Sequence, residues 1–508
     1  MDPHNHNPPA TTFGSRPIHA SRREEEEARS KRIGIAQAAK TLMYTSAESL
    51  SGQCGEAFPH DPDFPQLRVA SDRARMLELF RHRLRPVPGR TCQIEDCQPF
   101  RFRCRQSGGR CVLQFTLRVR EPGTGRRWNQ WVTGLVYAEK GKAERLWREM
   151  ARVDQRREIP ESWLTFEPVD FIPELQMLVQ VFPCDRKLPN LCALMGGRLR
   201  DIEPLLLARL GPGQWQVDQR YIEPTRYRTE LAAALKYTIQ ARDARVTRVQ
   251  TTRCYLKVYR DGRGEGIFEL LQSLAATTRD DYATVRPIAY LSELRTLVLE
   301  EAAGTPLSQH LLQGRDPAEV GGAVGRAAAA FNRDGLGNGR RQYRADQLDD
   351  LQRDSSLVQW ACPPVRAAVR AIIGAVVASL EDVPPAPIHR DLKPDHIFLS
   401  GDRVIFIDLD SVVLGDPVRD AAHLFAHFLA GVGLEPLTSE QTRPAAAAFL
   451  ETYFAQVPKP WRRQFPLQCA GALIEVASGI FRRQEPQWSQ KVVAAVEEAE
   501  HVLSGGFN

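Results

Sequence analysis

The sequence predicts an α+β protein in which a β-rich part precedes a helix-rich part. From about residue 76 to 305, short runs of alternating apolar and polar residues, typical of half-buried strands, recur around polar turns. From about residue 310 the apolar spacing is mostly helical, interrupted by the short apolar segments 397–399 and 404–407. The chain has 508 residues, enough for about three domain-sized units.

Composition indicates an ordinary globular protein and argues against several functional classes. Hydrophobic residues make up 43% and charged residues 26% of the chain, close to the average for soluble proteins. The formal charge of +6 is small for this length, so we expect no nucleic-acid partner. The N-terminus lacks the pattern of a secretory signal, and no apolar run approaches the ~18 residues of a membrane helix. We therefore expect a cytoplasmic protein without membrane association.

The cysteines predict reduced thiols. There are 10 in the chain, too few for the dense framework of a small secreted scaffold. Cys92, Cys97, Cys104 and Cys111 are close in sequence but lack the CxxC spacing of common zinc sites. We expect these four to pack within strands.

An internal repeat organises the first half of the chain. Residues 1–75 are rich in Pro, His, Ser and charge, which predicts a flexible segment. After it, residues 113–150 align with 235–274, and the similarity continues further along both copies. Each copy has strands around a polar turn, a Val-Tyr strand end, a Gly-containing turn and an amphipathic helix. We interpret this as duplication of one small α+β unit, with predicted boundaries 76–205 and 206–305, before a helix-rich domain at 306–508.

The segment 389–396 carries several groups that phosphoryl transfer needs. Asp391 lies in a loop before a strand, where its carboxylate can accept or orient the proton of an acceptor hydroxyl. Lys393 can reach the same centre and neutralise charge on the transferred phosphate. Asp408 ends the next strand, where a carboxylate can bind a divalent metal ion. The sequence thus predicts a site with Asp391 and Lys393 as catalytic residues and Asp408 as a metal ligand.

These motifs resemble the aminoglycoside/choline phosphotransferase branch of the protein-kinase-like superfamily. His-Arg-Asp-Leu-Lys-Pro at 389–394 is similar to a Ser/Thr kinase catalytic loop, whereas Gly415, Asp416, Pro417 and Asp420 match the GDPxxxD pattern of the small-molecule enzymes. The resemblance implies a bilobal protein-kinase-like fold, with the first copy as an additional degenerate small lobe. It also implies ATP and Mg²⁺ as cofactors and a hydroxylated small molecule, such as an aminoglycoside, choline or a sugar, as substrate.

The same resemblance assigns nucleotide-binding positions in the second copy. A lysine on the third strand and a glutamate on the following helix correspond to Lys257 and Glu269. The strand and linker that meet adenine correspond to residues 296–307. The candidate residues within this linker are Glu300, Glu301 and Ala303.

Comparison of the two copies indicates which one has the nucleotide site. Alignment through the shared Val-Tyr puts Leu135 of the first copy opposite Lys257 of the second. The acceptor pocket is expected between the catalytic loop and the C-terminal helices at 451–488. The side chains there that suit an anionic or sugar-like substrate, none singled out by the sequence, are Arg462, Arg463, Arg482, Arg483 and Trp488.

Two departures from the family pattern leave alternatives open. His396 stands where the family has a metal-binding Asn, and a neutral imidazole is a poorer ligand for Mg²⁺ than an amide oxygen. The loop after the first strand of the second copy contains Arg226 and Arg228 and lacks glycines. The alternative to a small-molecule kinase is a pseudokinase or scaffold that binds a nucleotide or a protein partner without turnover, with the N-terminal repeat as the surface for a protein partner. A Ser/Thr protein kinase is a further alternative.

Overall fold

The computed structural model describes residues 56–505, apart from 105–108, 154–155, 157–158, 197, 247, 277–278 and 336–339. Most of the predicted flexible segment, residues 1–55, lies outside the described residues. Over 56–75 the prediction is wrong, because Phe58 and Phe64 are almost completely buried. The ring of Phe58 packs against Phe102 and Phe481, which anchors this stretch to distant parts of the chain. Two helices follow, α1 (Leu67–Ala70) and α2 (Arg73–Arg83).

The first β unit is an antiparallel five-stranded sheet with a helix after its third strand. Its strands are β1 (Gln93–Cys104), β2 (Arg110–Arg120), β3 (Arg127–Tyr137), β4 (Val169–Ile172) and β5 (Met177–Val181), and α3 (Lys142–Ala151) lies between β3 and β4. The strand order is β1-β2-β3-β5-β4. Two short helices, α4 (Asn190–Gly196) and α5 (Glu203–Leu207), lead to the next unit.

The second β unit has the same topology. It contains β6 (Trp215–Arg228), β7 (Ala232–Asp243), β8 (Val249–Tyr259), α6 (Gly264–Ala276), β9 (Tyr282–Thr284), β10 (Pro287–Leu291) and β11 (Thr296–Glu300). The order β6-β7-β8-β11-β10 and the position of α6 match the first unit, as the aligned sequences predict. Leu135 and Lys257 each lie two residues before the tyrosine that ends the third strand.

The remaining chain forms the helical half. It comprises β12 (Thr305–Pro306), α7 (Leu307–Leu312), α8 (Pro317–Arg333), α9 (Arg344–Ala361), α10 (Arg366–Ser379), β13 (Ala386–Ile388), β14 (Ile397–Ser400), β15 (Arg403–Phe406), β16 (Val413–Gly415), α11 (Val418–Ala430), α12 (Ser439–Gln456), α13 (Phe465–Arg482) and α14 (Trp488–Leu503). Strand β15 pairs in parallel with β9, which attaches this half to the second β unit. The predicted change from a β-rich to a helix-rich part is therefore confirmed. Within the described residues, no helix has the length and apolarity needed to cross a bilayer.

Close helix packing and long apolar helix faces build the core of the helical half. Helices α8 and α12 approach closely because two glycines of α8 face the α12 backbone. A Cβ atom at Gly321 would overlap the carbonyl oxygen of Ala445, and one at Gly325 would lie 2.6 Å from the carbonyl oxygen of Phe449. On the other side, α13 buries an almost continuous face against α11 and α14. These contacts fix the helices that carry the loops of the site.

The cysteines differ in part from the prediction. Cys104 and Cys111 form a disulfide, so the expectation of reduced, strand-packing thiols is wrong for this pair. They are directly opposite in the β1–β2 ladder, with Cα atoms 4.1 Å apart, a relation that sequence spacing alone does not reveal. Cys97, by contrast, is a free thiol that is fully buried in the core.

Candidate active site

The loop that carries Asp391 is held by a buried aspartate from α11. Asp420 is 1% exposed, and its two carboxylate oxygens accept hydrogen bonds from the backbone N–H groups of His389 (2.7 Å) and Arg390 (2.9 Å). Arg390 has a φ of 69°, a left-handed conformation that is unfavourable for a residue with a side chain. Asp420 thus offsets the cost of the sharp turn, which explains the position of the last Asp in the GDPxxxD pattern.

Asp391 follows this turn and lines a pocket between the lobes. Its Oδ2 accepts a hydrogen bond from Nζ of Lys393 at 2.8 Å, and Nε2 of His423 lies 3.7 Å from its Oδ1. Burial alone would raise the pKa of Asp391, but His423 and Lys393 hold it well below its usual range. The carboxylate is therefore ionised and able to accept a proton.

A chain of buried charged groups extends from Asp391 into α13. Nδ1 of His423 lies 3.5 Å from Oε2 of Glu475, whose Oε1 is 2.9 Å from Nη2 of Arg419. Burial would lower the pKa of His423, but Asp391 and Glu475 raise it to about 9. Burial would raise the pKa of Glu475, but Arg419 and His423 lower it to about 2. At neutral pH the four groups therefore alternate in charge.

His396 and Asp408 meet beside Asp391. Burial and the nearby Lys393 lower the pKa of His396 to about 3, so its imidazole is neutral. Its Nδ1 lies 2.8 Å from the carbonyl oxygen of Asp391 and must carry the hydrogen, because a carbonyl only accepts. Its Nε2 lone pair therefore faces Oδ2 of Asp408 at 3.2 Å. Two acceptors at this distance attract a cation, and candidate ligand atoms of Asp391, His396 and Asp408 lie within 4.8 Å of one another.

Lys257 approaches the same place from the second β unit. Its Nζ donates to Oδ1 of Asp408 and, at 2.6 Å, to Oδ1 of Asp410. Burial alone would lower the pKa of Lys257, but the two carboxylates raise it, so the ammonium stays charged. Arg226 from β6 also contacts Asp408, with 3.1 Å between Nη1 and Oδ2. Asp391, Lys393, His396, Asp408 and Lys257 are thus brought together as the sequence predicts.

Glu269 lies apart from this group. It is exposed on α6 and forms no ion pair with Lys257 among the residues that the structure describes. The resemblance assigns Glu269 and Lys257 to the same nucleotide site, but in the described part of the chain Glu269 does not fill the place beside Lys257. Asp410 takes that place, with its second oxygen accepting from the hydroxyl of Tyr259 at 2.8 Å.

The three linker candidates lie where β11 passes into the helical half. Glu300 ends β11, and its carboxylate pairs with Arg209. The carboxylate of Glu301 lies 3.4 Å from Arg253. Ala303 is exposed in the connection to β12. The side chains of Glu300 and Glu301 thus have partners within the protein, and the backbone of this linker is a further candidate contact for a ligand.

The turn between β6 and β7 is held by the first β unit. Its Glu230 is completely buried and has a φ of 59°. The carboxylate pairs with Arg110 and, at 2.9 Å, with Arg186, and its backbone N–H donates to Asp185 at 2.7 Å. The preceding residue, Thr229, shares a 2.7 Å hydroxyl hydrogen bond with Thr133. This turn follows the strand that carries Arg226 and Arg228, so the first unit fixes the position of both arginines.

Sequence reasoning missed three residues of the site. Asp410 has a sequence signal, the second Asp of Ile-Asp-Leu-Asp at 407–410, two positions after a predicted metal ligand. His423 and Glu475 have no such signal in the local sequence. They meet only because α11 and α13 pack against each other, a contact between segments that lie far apart in the sequence.

A pocket between two lobes, with an ionised aspartate, a metal-binding donor set and a buried lysine, is the arrangement of a phosphotransferase. The sequence from residue 185 to 463 matches the model of the phosphotransferase enzyme family that is abbreviated APH. This match spans more than half of the chain, and the protein belongs to that family. The predicted family and the bilobal α+β architecture are confirmed. Most of the first β unit lies outside the matched region.

Several solved structures are similar to this chain. Macrolide 2'-phosphotransferase MphH from Brachybacterium faecium is 16% identical, with 60% of this chain and 98% of that one covered and a TM-score of 0.35. Choline kinase LicA from Streptococcus pneumoniae is 14% identical, with 60% and 99% covered and a TM-score of 0.37. Amicoumacin kinase hAmiN, solved with AMP-PNP and Ca²⁺, is 15% identical, with 59% and 93% covered and a TM-score of 0.38. No curated protein matches the chain.

Proposed function

We propose that this protein transfers the γ-phosphoryl group of ATP to a hydroxyl group of a small molecule. The observation that carries the proposal is the convergence of Asp391, the His396–Asp408 pair and Lys257 within one cleft. In the reaction, the acceptor oxygen forms a bond to Pγ, the bond from Pγ to the bridging β–γ oxygen breaks, and ADP leaves. The proton of the acceptor hydroxyl passes to Asp391.

Each side chain has a role that follows from its position. Asp391 is ionised and accessible from the pocket, as a proton acceptor must be. Lys393 lies against it and is placed to balance charge on the transferred group. Lys257 is a buried cation placed to bind nucleotide phosphates, and Arg226 adds a second positive charge beside Asp408. The backbone of residues 301–303 is the candidate contact for adenine.

A divalent metal ion fits the donors around His396. Two carboxylates and a neutral imidazole with a free lone pair are available, and no proton occupies the side of Nε2 that faces Asp408. When bound there, the ion would neutralise charge on the nucleotide phosphates. Carboxylate oxygens suit Mg²⁺, whereas an imidazole suits softer ions such as Mn²⁺ better. We therefore propose Mg²⁺ or Mn²⁺ at this site.

The proposal is tested by nucleotide binding and by turnover. Purified protein should bind AMP-PNP in the presence of Mg²⁺ or Mn²⁺, measured by thermal shift and isothermal titration. The variant Asp391→Asn should keep that affinity but lose about 10²- to 10⁴-fold in ADP release in the presence of an acceptor, because a general base contributes that much. Asp382→Asn is the matched control, since Asp382 is exposed and does not line the pocket. Failure to bind nucleotide with either metal at millimolar concentration would exclude the proposal.

The imidazole of His396 gives a sharper test of the metal site. His396→Asn replaces the nitrogen donor with an amide oxygen, so we expect the ratio of Mg²⁺-supported to Mn²⁺-supported turnover to rise by about tenfold. Nucleotide titrations with each metal would measure the same preference without turnover. An unchanged ratio in both measurements would show that His396 does not contact the metal.

A further inference from the structure

The pocket beside Asp391 is strongly cationic. It is a cavity of about 420 Å³ between β6, α9, the catalytic loop, α11 and α13. Seven arginine and lysine side chains line it, against four carboxylates. The cations are Arg228, Arg353, Arg390, Lys393, Arg419, Arg482 and Arg483, and the anions are Asp350, Asp354, Asp391 and Glu475. His423 also lines the pocket and adds to the positive charge at neutral pH.

Most of these cations form ion pairs with carboxylates, but Arg228 does not. Arg482 pairs with Asp354 at 2.6 Å, and Arg390 pairs with Asp350 at 2.6 Å. Arg483 has its partner outside the pocket, at Glu485, and its Nη2 is buried without a hydrogen bond in the described part of the chain. The guanidinium of Arg228, unlike its backbone, forms no ion pair or hydrogen bond with the residues that the structure describes. Arg228 is exposed to solvent, and it lines the pocket.

The first β unit adds an arginine behind this pocket. Arg101 on β1 makes no ion pair with the described residues, and its Nε is buried without a partner. Burial, together with the nearby Arg226 and Arg228, lowers the pKa of Arg101 to about 9. Burial and Arg226 also lower the pKa of Arg228. Uncompensated guanidinium groups at close range are costly, and a bound anion would relieve that cost.

Two arginines of β6, Arg226 and Arg228, face different parts of the site. Arg226 reaches Asp408, beside Lys257, on the nucleotide side of the site. Arg228 is two residues further along and faces the pocket formed with α9 and α13, which Lys257 and Asp408 do not line. Arg228, Arg482 and Arg483 therefore lie in the pocket next to Asp391, where the acceptor hydroxyl must come.

We propose that the phosphate acceptor carries an anionic group, a phosphate or a carboxylate, in addition to its hydroxyl, and that Arg228 binds this group together with Arg482 and Arg483. This inference rests on the proposed phosphotransferase function for the role of the pocket. It selects against cationic acceptors, because a positively charged substrate would add to the unpaired charge around Arg228. Guanidinium groups suit phosphate and carboxylate because they donate two parallel hydrogen bonds.

The test is isothermal titration of the full chain saturated with AMP-PNP and Mg²⁺. The probes are glycerol 3-phosphate, glycerate, glycerol and choline, which share a small size and a hydroxyl but differ in charge. We expect at least one anionic probe to bind about tenfold or more tightly than glycerol, and choline to bind most weakly. The two anionic arms separate phosphate from carboxylate recognition. Arg228→Ala should weaken binding of the preferred anion about tenfold or more, whereas Arg443→Ala, at an exposed position that does not line the pocket, should leave its affinity unchanged.

The outcomes separate this inference from the proposed function. Equal binding of glycerol and both anions, or tighter binding of choline, would overturn the anionic class while AMP-PNP binding still supports a phosphotransferase. Weaker AMP-PNP binding by Arg228→Ala, with unchanged anion affinity, would move Arg228 to the nucleotide side and also overturn the inference. Repeating the titration without AMP-PNP decides the anion preference even if the nucleotide fails to bind.

Discussion

The two β units have the same strand order and the same helix position, yet they use charge in opposite ways. At corresponding places on the third strand, the first unit has Leu135, fully buried among apolar side chains, and the second has Lys257, paired with Asp408 and Asp410. Lys257 has carboxylates to meet because the helical half packs against the second unit at this face. The same topology therefore carries a buried ion-pair cluster in one unit and an apolar core in the other, and the difference lies in the residue at this position and in the side chains around it.

The first unit has a different use for its charged residues. Arg110 and Arg186 point at the β6–β7 turn and hold Glu230, and Arg101 adds charge beside the acceptor pocket. In a loop that relies on glycines, backbone flexibility allows close approach to phosphate. Here Arg226 and Arg228, on strand β6, lie in the corresponding region. The first β unit fixes the turn that follows them. We infer that the first unit acts as a brace for strand β6.

The difference between the two β units is tested most directly by substituting Leu135 and Lys257. Lys257→Met keeps the length of the side chain but removes its charge, and we expect ATP turnover to fall about 10²- to 10³-fold, the usual cost of losing a charge-stabilising group. Leu135→Ala should instead lower the free energy of unfolding by about 2 to 5 kcal/mol, through the cavity it leaves. Steady-state ADP release and urea unfolding measure the two effects.

Comparing the two variants shows which β unit takes part in turnover. Folded Leu135→Ala protein should keep kcat within about twofold, since Leu135 touches no residue of the cleft motifs. If Lys257→Met kept wild-type turnover, the second unit would not be the working lobe. If Leu135→Ala lost turnover while still folded, the first unit would contribute to catalysis directly.

The brace is tested by Glu230→Gln, which leaves the turn in place but removes its charge. Arg110 and Arg186 would then lack a counter-charge at a fully buried position, and we expect the free energy of unfolding to fall by about 3 kcal/mol. Because the turn follows Arg228, the KM for the acceptor should rise more than that for ATP. Urea unfolding and steady-state kinetics measure these changes.

An exposed ion pair supplies the control for the brace. Glu174 pairs with Arg83 at the surface, both about half exposed, so Glu174→Gln should change stability by less than about 1 kcal/mol. A Glu230→Gln variant as stable as Glu174→Gln would contradict the brace, because the turn would then be held by something other than its buried charge.

The sequence predicts the fold and the centre of the site well because both depend on local signals. Alternating apolar residues define the strands, and the spacing of Asp391, Lys393 and Asp408 is short enough that the loop geometry follows from the motif. The sequence also predicts the repeat, because the strand order of each unit follows from the order of the aligned segments.

What sequence could not predict depends on packing between distant segments. Glu269 looks like the partner of Lys257 by position on its helix, but the orientation of α6 leaves it in solvent and Asp410 meets the lysine instead. Burial of Phe58 depends on a surface formed by residues more than 40 positions away, so its stretch appears flexible from composition alone. The disulfide depends on the register of β1 and β2, which the sequence spacing of the two cysteines does not reveal.

The charged chain behind Asp391 gives the smallest expected effect and a pH dependence. Arg419 and His423 lower the pKa of Glu475 to about 2 in the folded protein, below the ordinary value of 4.5. A depressed carboxylate pKa stabilises the fold at pH values above its unfolded pKa, and that contribution is lost as the pH falls from about 5 to about 2. Glu475→Gln should therefore be less stable than wild type by about 2 to 3 kcal/mol at pH 7, with a difference that shrinks steadily below pH 5. Urea unfolding at pH 7, 5, 4 and 3 measures this difference, and the exposed Glu497→Gln serves as the control. A constant difference across this range would mean that Glu475 contributes through packing alone, and that the helical half holds His423 against Asp391 without the help of its charge.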